Sequence, residues 1–212
     1  MRISDIIQVD NNYAVVIDNW YNEEEYNKVF EECQFVSNYA LSPKDSGAAM
    51  SESGNVLKQN SARFISSFFK EFFDSYIAQY SQKLYHADLV HELLNIDPLY
   101  EYLGMINAGD SLVSYYENSD YYKAHRDQAI ITQLTWLYEQ PKSFKGGNLI
   151  LRDINNNVVK EIECVPNRSI IFPSFMLHEV NNISMDEKNL NQKKGRYTVS
   201  TFSRIESIQN NG

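Results

Sequence analysis

Apolar positions along the chain change their spacing twice, and each change marks a different kind of element. Near the start, Tyr13 to Asn19 (YAVVIDN) is a continuous apolar run bounded by polar residues, which predicts a short, largely buried strand. Asn22 follows, with Glu23, Glu24 and Glu25 behind it. Three carboxylates in a first turn complement the positive end of a helix dipole, so a helix is predicted from here to about Phe35. Residues 37–60 are rich in Ser, Gly and Asn and predict a mobile loop. From Ser61 to His86, Phe64, Ile65, Phe68, Phe72, Tyr76 and Tyr80 recur at helical spacing, which predicts one long amphipathic helix whose aromatic stripe is core.

From about Tyr102 onward the pattern shortens into β-type runs separated by turn residues. Strands are predicted near residues 102–107, 110–117, 130–138, 147–153, 158–164, 168–173, 178–183 and 196–205. Such a series behind a helical preface predicts a mainly β, α+β fold. Its core would be a double-stranded β-helix (a jelly roll of cupin-like type) braced by N-terminal helices. No repeat, low-complexity tail or linker divides the chain. A single domain over residues 1–212 is expected, with 1–100 as a helical support region carrying one or two strands and 101–206 as the β-helix core.

Composition narrows the functions available. With 43% hydrophobic and 13% aromatic residues, the chain can bury a core, which excludes wholesale disorder. Its formal charge of −9 repels phosphate backbones and argues against a nucleic-acid partner. Cys33 and Cys164 are too few and too far apart for a metal finger or a disulfide scaffold. The opening Met1-Arg2-Ile3-Ser4-Asp5 lacks the apolar core of a signal peptide, and no run approaches the roughly 20 apolar residues of a membrane span. A cytoplasmic protein without a membrane partner is expected.

The candidate chemistry begins at His125-Arg126-Asp127. In an extended chain alternate side chains share a face, so His125 and Asp127 point together while Arg126 points away. An imidazole and a carboxylate on one face make two adjacent ligands for a divalent metal. His178 supplies a second imidazole, opening a strand after the apolar run Ile170 to Leu177. Two histidines and one carboxylate form the facial triad of non-haem iron oxygenases. Downstream, alternation places Arg196, Thr198, Ser200 and Phe202 on one face of a strand. A guanidinium pointing into a barrel is costly unless it meets an anion, and a carboxylate ligand would satisfy it. Between these lie Gly146 and Gly147, which permit a tight turn and close backbone approach.

Together, Tyr116-Glu117, Tyr122-Lys123-Ala124-His125-Arg126-Asp127, Gly146-Gly147-Asn148-Leu149, Phe172-Pro173-Ser174, His178-Glu179-Val180 and Gly195-Arg196-Tyr197 resemble the 2-oxoglutarate/Fe(II)-dependent dioxygenase superfamily. They are most similar to its prolyl 4-hydroxylase-like branch, and the resemblance runs from about Ser111 to Arg204. It implies iron ligation by His125, Asp127 and His178, and pairing of Arg196 with the distal carboxylate of 2-oxoglutarate; these four would be the catalytic residues. Tyr116, rather than its neighbour Tyr115, would bond the same carboxylate, and Trp136, Leu149, Val180 and Ser200 would line the cosubstrate pocket. Fe(II), 2-oxoglutarate and O2 are implied, and ascorbate is admitted as an accessory. The implied reaction hydroxylates an unactivated C–H of a prolyl or other peptidyl side chain while 2-oxoglutarate and O2 become succinate and CO2. A free amino acid or small metabolite is the alternative substrate. A non-catalytic cupin-like metal-binding module and a zinc site are the rival readings. The chain departs from the branch in a polar insertion, Ser184 to Lys194, and in Arg196, where collagen-type enzymes commonly carry lysine.

Overall fold

A computed structural model describes residues 1–206, and it begins with a hairpin. Strand β1 (Arg2–Val9) pairs antiparallel with β2 (Asn12–Asp18). Only Ile7 and Val9 of β1 are buried, and its register against β2 shifts at a bulge between Ile3 and Asp5, so its apolar signal is weak. Pairing with β2 supplies its order. β2 is the strand expected from its apolar run. That run is continuous because Val15 and Ile17 enter one core while Ala14 and Val16 enter another.

Helix α1 (Glu23–Ser37) starts where the acidic turn predicted it. The Asn22 side chain accepts from the Glu25 N–H, and the Glu25 carboxylate accepts in return from the Asn22 N–H. Val29, Cys33 and Val36 of this helix pack in one cluster with Val113, Tyr115, Tyr197 and Val199 of the β structure.

The single helix expected over 61–86 does not form. Its first residues are a strand, β3 (Ser61–Phe64), paired with the strand that holds Leu112 to Tyr115. A 3-10 turn (Phe72–Asp74), helix α2 (Tyr76–Ser81), a second 3-10 turn (Gln82–Tyr85) and helix α3 (Ala87–Leu94) follow. Two long-range forces override the local period. Edge pairing captures Ser61–Phe64. The Glu32 carboxylate of α1 accepts from Ser75 Oγ and from the Tyr76 and Ile77 N–H groups, which fixes where α2 begins. The strand expected at 102–107 is likewise a 3-10 helix (Pro98–Met105), opened by Asp97 as cap and Pro98 in its first turn.

The remaining strands are β4 (Ala108–Tyr116), β5 (Tyr122–His125), β6 (Ile131–Leu137), β7 (Phe144–Lys145), β8 (Leu149–Arg152), β9 (Val158–Ile162), β10 (Ser169–Pro173), β11 (Leu177–Val180), β12 (Ser184–Met185) and β13 (Arg196–Arg204). They form a seven-stranded sheet ordered β1-β2-β10-β6-β13-β4-β3, a four-stranded sheet ordered β5-β11-β8-β9, and the small pair β12-β7. Every pairing is antiparallel. This mostly β architecture with few helices fits a jelly-roll sandwich. A second core, containing Tyr116, Trp136, Leu149, Leu151, Phe172 and Val180, fills the space between the two larger sheets. No helix among the described residues is long and apolar enough to cross a membrane.

Residues 37–60, expected as a mobile loop, are tied to the sheets. Leu41 bridges Ala62 of β3 and Lys58 bridges Tyr122, while Met50 and Val56 bridge each other within the segment. The polar insertion at 184–194 forms β12 and a 3-10 turn, and contributes no residue to the cavity described next.

Candidate active site

A cavity of about 410 Å³ opens between the two larger sheets. The inward face of β13 supplies Arg196, Thr198, Ser200, Phe202 and Arg204, alternate residues of one strand as the pleat requires. The opposing sheet supplies His125, His178 and Val180.

His125 and His178 are cross-strand partners in the register of β5 and β11, so their rings lie 4.3 Å apart between centroids. Each ring is oriented from behind. His125 Nδ1 lies 2.8 Å from the Lys123 carbonyl and His178 Nδ1 lies 2.9 Å from that of Met176. Donation to those carbonyls puts the proton on Nδ1 and leaves each Nε2 with a free lone pair. Asp127 follows β5, held by its N–H to the Ser174 carbonyl at 2.9 Å. Its Oδ2 accepts from Thr132 Oγ1 at 2.8 Å, and Thr132 also meets Ser174 Oγ at 2.8 Å. The two Nε2 atoms stand 3.6 Å and 3.5 Å from the Asp127 oxygens. All three ligand atoms lie within 4.8 Å of one another, converging without closing on each other.

The electrostatics suit metal ligation. Burial, reinforced by the neighbouring His125, lowers the His178 pKa to about 4, so its imidazole is neutral near pH 7. Burial acts against the Asp127 charge, but His178 and His125, with the Thr132 hydroxyl, outweigh it and leave the pKa below its ordinary value. Neutral imidazoles and an ionised carboxylate are the states a divalent metal requires.

A pH dependence of stability follows for the metal-free protein. Unfolded His178 protonates near 6.5 and folded His178 near 4, so the unfolded chain binds more protons within that window. Stability is therefore fully present above about pH 6.5 and falls as the pH drops towards 4; Asp127, with a lowered folded pKa, acts in the same direction. The melting temperature of chelator-treated protein should decline across this window, and less steeply in His178→Gln. Equal slopes for the two proteins would contradict a neutral buried His178.

Arg196 lies at the start of β13, opposite Tyr116 in register, and is 1% exposed. Its guanidinium carbon sits 4.0 Å from the centre of the Tyr116 ring and 5.9 Å from that of Trp136. One NH group donates to the Gly147 carbonyl, while Nε is buried with no partner. No carboxylate pairs with it among the described residues. The glycine pair is explained here. Gly146 and Gly147 both have positive φ (+73° and +72°), and a Cβ on Gly147 would lie 3.2 Å from Arg196 Cδ. The turn thus delivers a carbonyl against the arginine where a side chain would crowd it.

Tyr116, Val180 and Ser200 line the cavity. Tyr115 points into the opposite core and accepts from the Gly195 N–H. Trp136 and Leu149, expected to line the pocket, are packed instead in the inter-sheet core away from the cavity wall, with the Arg196 guanidinium carbon 5.9 Å from the centre of the Trp136 ring. Sequence reasoning missed several lining residues. Tyr122, whose ring stacks on His125 at 3.5 Å and 11°, lies within the His-x-Asp run and is signalled by it. Lys58 comes from the polar loop and carries no sequence signal.

Residues 111–204 match a family model described as the 2OG-Fe(II) oxygenase superfamily, and this stretch contains His125, Asp127, His178 and Arg196. Among solved structures the chain is similar to a prolyl-4-hydroxylase from Pseudomonas putida, with 15% identity, TM-score 0.59, and coverage of 92% of this chain and 93% of that one. It is similar also to a prolyl hydroxylase from Trichoplax adhaerens, determined in complex with a hypoxia inducible factor oxygen degradation domain peptide. There the identity is 17%, the TM-score 0.61, and the coverage 90% and 83%. A viral collagen prolyl hydroxylase from Paramecium Bursaria Chlorella virus-1 gives 16% identity, TM-score 0.50, and coverage of 92% and 96%. No curated relative matches. At such identities the structural likeness shows the fold. The family match over this stretch agrees with the resemblance to the 2-oxoglutarate/Fe(II) oxygenase superfamily.

Proposed function

We propose that this chain is an Fe(II)- and 2-oxoglutarate-dependent hydroxylase acting on a prolyl or other peptidyl side chain, with 2-oxoglutarate and O2 converted to succinate and CO2. One observation carries the reading. The triad of His125, Asp127 and His178 shares its cavity with a buried guanidinium that has an unpartnered Nε and no carboxylate. A module that only bound metal would have no use for such an arginine, and its burial is costly unless an anion meets it. A peptide substrate is plausible because the Trichoplax adhaerens enzyme was captured with a peptide.

In this reading His125 Nε2, His178 Nε2 and an Asp127 carboxylate oxygen would hold the iron. Bound iron supplies dioxygen activation coupled to oxidation of 2-oxoglutarate. Arg196 would hold the distal carboxylate of the cosubstrate, its plane fixed by the Tyr116 ring and the Gly147 carbonyl. Burial, partly offset by Arg196, raises the Tyr116 pKa to about 12, so its phenol remains a hydrogen-bond donor towards that anion. Thr132 keeps the Asp127 carboxylate oriented, and Tyr122 covers the His125 ring against water. Cys33 and Cys164 are both buried and unpaired, which supports a reducing, cytoplasmic setting.

Ligands that bind only the folded state raise its stability. Fe(II) with 2-oxoglutarate, added anaerobically with each at about a hundredfold over its dissociation constant, should raise the melting temperature by roughly 10–20 °C. Differential scanning calorimetry reads this directly, and an unchanged transition at saturation would sink the cosubstrate assignment.

A further inference from the structure

The cavity wall has the opposite charge from the chain around it. The protein carries a formal −9, yet the cavity is lined by Lys58, Arg126, Arg196 and Arg204, and Asp127 is its sole acid. If the proposed oxygenase reading holds, the cofactors do not use up this surplus. The metal dication and the Arg196 guanidinium would balance the Asp127 carboxylate and the 2-oxoglutarate dianion in formal charge. Lys58 then has no counter-charge assigned to it.

Lys58 is built into this position. Backbone bonds from the Gln59 N–H to the Tyr121 carbonyl (3.0 Å) and from the Lys123 N–H to the Leu57 carbonyl (2.8 Å) add residues 57–59 to the edge of the four-stranded sheet, beside β5. Lys58 pairs there with Tyr122, so the two side chains share the cavity face. Its Nζ lies 5.8 Å from the centre of the Tyr122 ring, which stacks on the candidate ligand His125. Lys58 therefore approaches the triad from the small sheet, whereas Arg196 approaches from the large one. It is 3% exposed, and its ammonium makes a single hydrogen bond, to the Ser46 carbonyl at 3.2 Å. Burial lowers its pKa to about 8, so it still carries its proton near pH 7. A buried ammonium with one neutral acceptor and no carboxylate partner among the described residues is an incomplete site. Arg204, also on the wall, has a buried Nε without a partner.

We propose that Lys58 anchors a carboxylate of the primary substrate, so that the molecule hydroxylated beside the triad is an anion. Arg126 and Arg204 steer that carboxylate inward by focusing positive potential in a cleft of an otherwise acidic protein. The carboxylate is that of a free amino acid or that of an acidic residue within a peptide; both present the same group to the ammonium.

The test reads binding at Lys58 itself. Protein carrying 13C-lysine is loaded with zinc and saturated with 2-oxoglutarate, and the Lys58 signal is identified by its loss in Lys58→Gln. The probes are proline against prolinamide, and prolyl peptides that differ only in a flanking Glu or Gln. A carboxylate probe should shift the Lys58 signal where its carboxamide partner does not, and whichever pair does so identifies the source of the group. In succinate-release assays Lys58→Gln should raise the KM for the carboxylate member by about tenfold to a hundredfold. Lys58→Arg, which keeps the charge, should restore most of the discrimination. The proposal is overturned if no carboxylate moves the signal, if amide and acid move it equally, or if 2-oxoglutarate alone moves it. A carboxylate-specific shift without succinate from any probe would count against the oxygenase reading and leave the anion site standing.

Discussion

His125→Ala and Asp127→Ala are each expected to lower 2-oxoglutarate-dependent succinate formation by more than about a hundredfold, since even outer-shell changes at metal sites cost 10- to 100-fold. The expectation rests on convergence. Two Nε2 lone pairs and one carboxylate meet in a space where every ligand atom is within 4.8 Å of the others. Each ring is pinned through Nδ1, so no other donor swings in when one is removed. Asp127→Ala deletes the group that brings anionic charge to the site, leaving two imidazoles for a dication. The Asp127 backbone bond to Ser174 survives the change, so the local chain path is retained. Iron titration and succinate release on the same samples separate lost metal from lost fold. Full activity in either variant would refute the ligand assignment.

Arg196→Ala should raise the KM for 2-oxoglutarate by about tenfold to a hundredfold, the range expected for losing a hydrogen-bonded ion pair, while the iron requirement stays near that of the wild type. Without cosubstrate the variant should not be much less stable. The guanidinium is buried beside Tyr116 and Trp136 with one protein hydrogen bond, and an under-paired buried charge contributes little to folding. Arg196→Lys should fall between the two proteins, because an ammonium keeps the charge but loses the planar fork and the stacking on Tyr116. Kinetic constants equal to wild type in Arg196→Ala would move the carboxylate anchor to another residue.

Both predictions concern residues legible in the chain before any coordinates. His125-x-Asp127 is read from the two-residue period of an extended chain; β5 ends at His125, and the Asp127 N–H bond to the Ser174 carbonyl holds the carboxylate just beyond it. The face shared by Arg196, Thr198, Ser200 and Phe202 follows from the same period, and all four line the cavity. Helix α1 was legible because its signal is local: Asn22 and the acidic turn behind it lie within one segment. The helix expected over 61–86 failed for the complementary reason. Its aromatic spacing is real, but edge pairing with β4 and the Glu32 carboxylate of α1 broke the segment from outside. The family resemblance places Trp136 and Leu149 at the pocket, and both do face the space between the sheets. Facing the inter-sheet space is necessary for lining the cavity, but depth decides it.

The sequence by itself determined the ligand types, their order along the chain and which neighbours share a face, because these depend on composition and on the strand period. Tertiary structure alone decided that His178 stands opposite His125, that Gly147 offers its carbonyl to Arg196, and that Lys58, from a loop with no motif, lies beside Tyr122 on the cavity wall. Each of those is a contact between segments far apart in sequence. Such contacts arise from strand register and packing depth, which no local pattern of residues encodes.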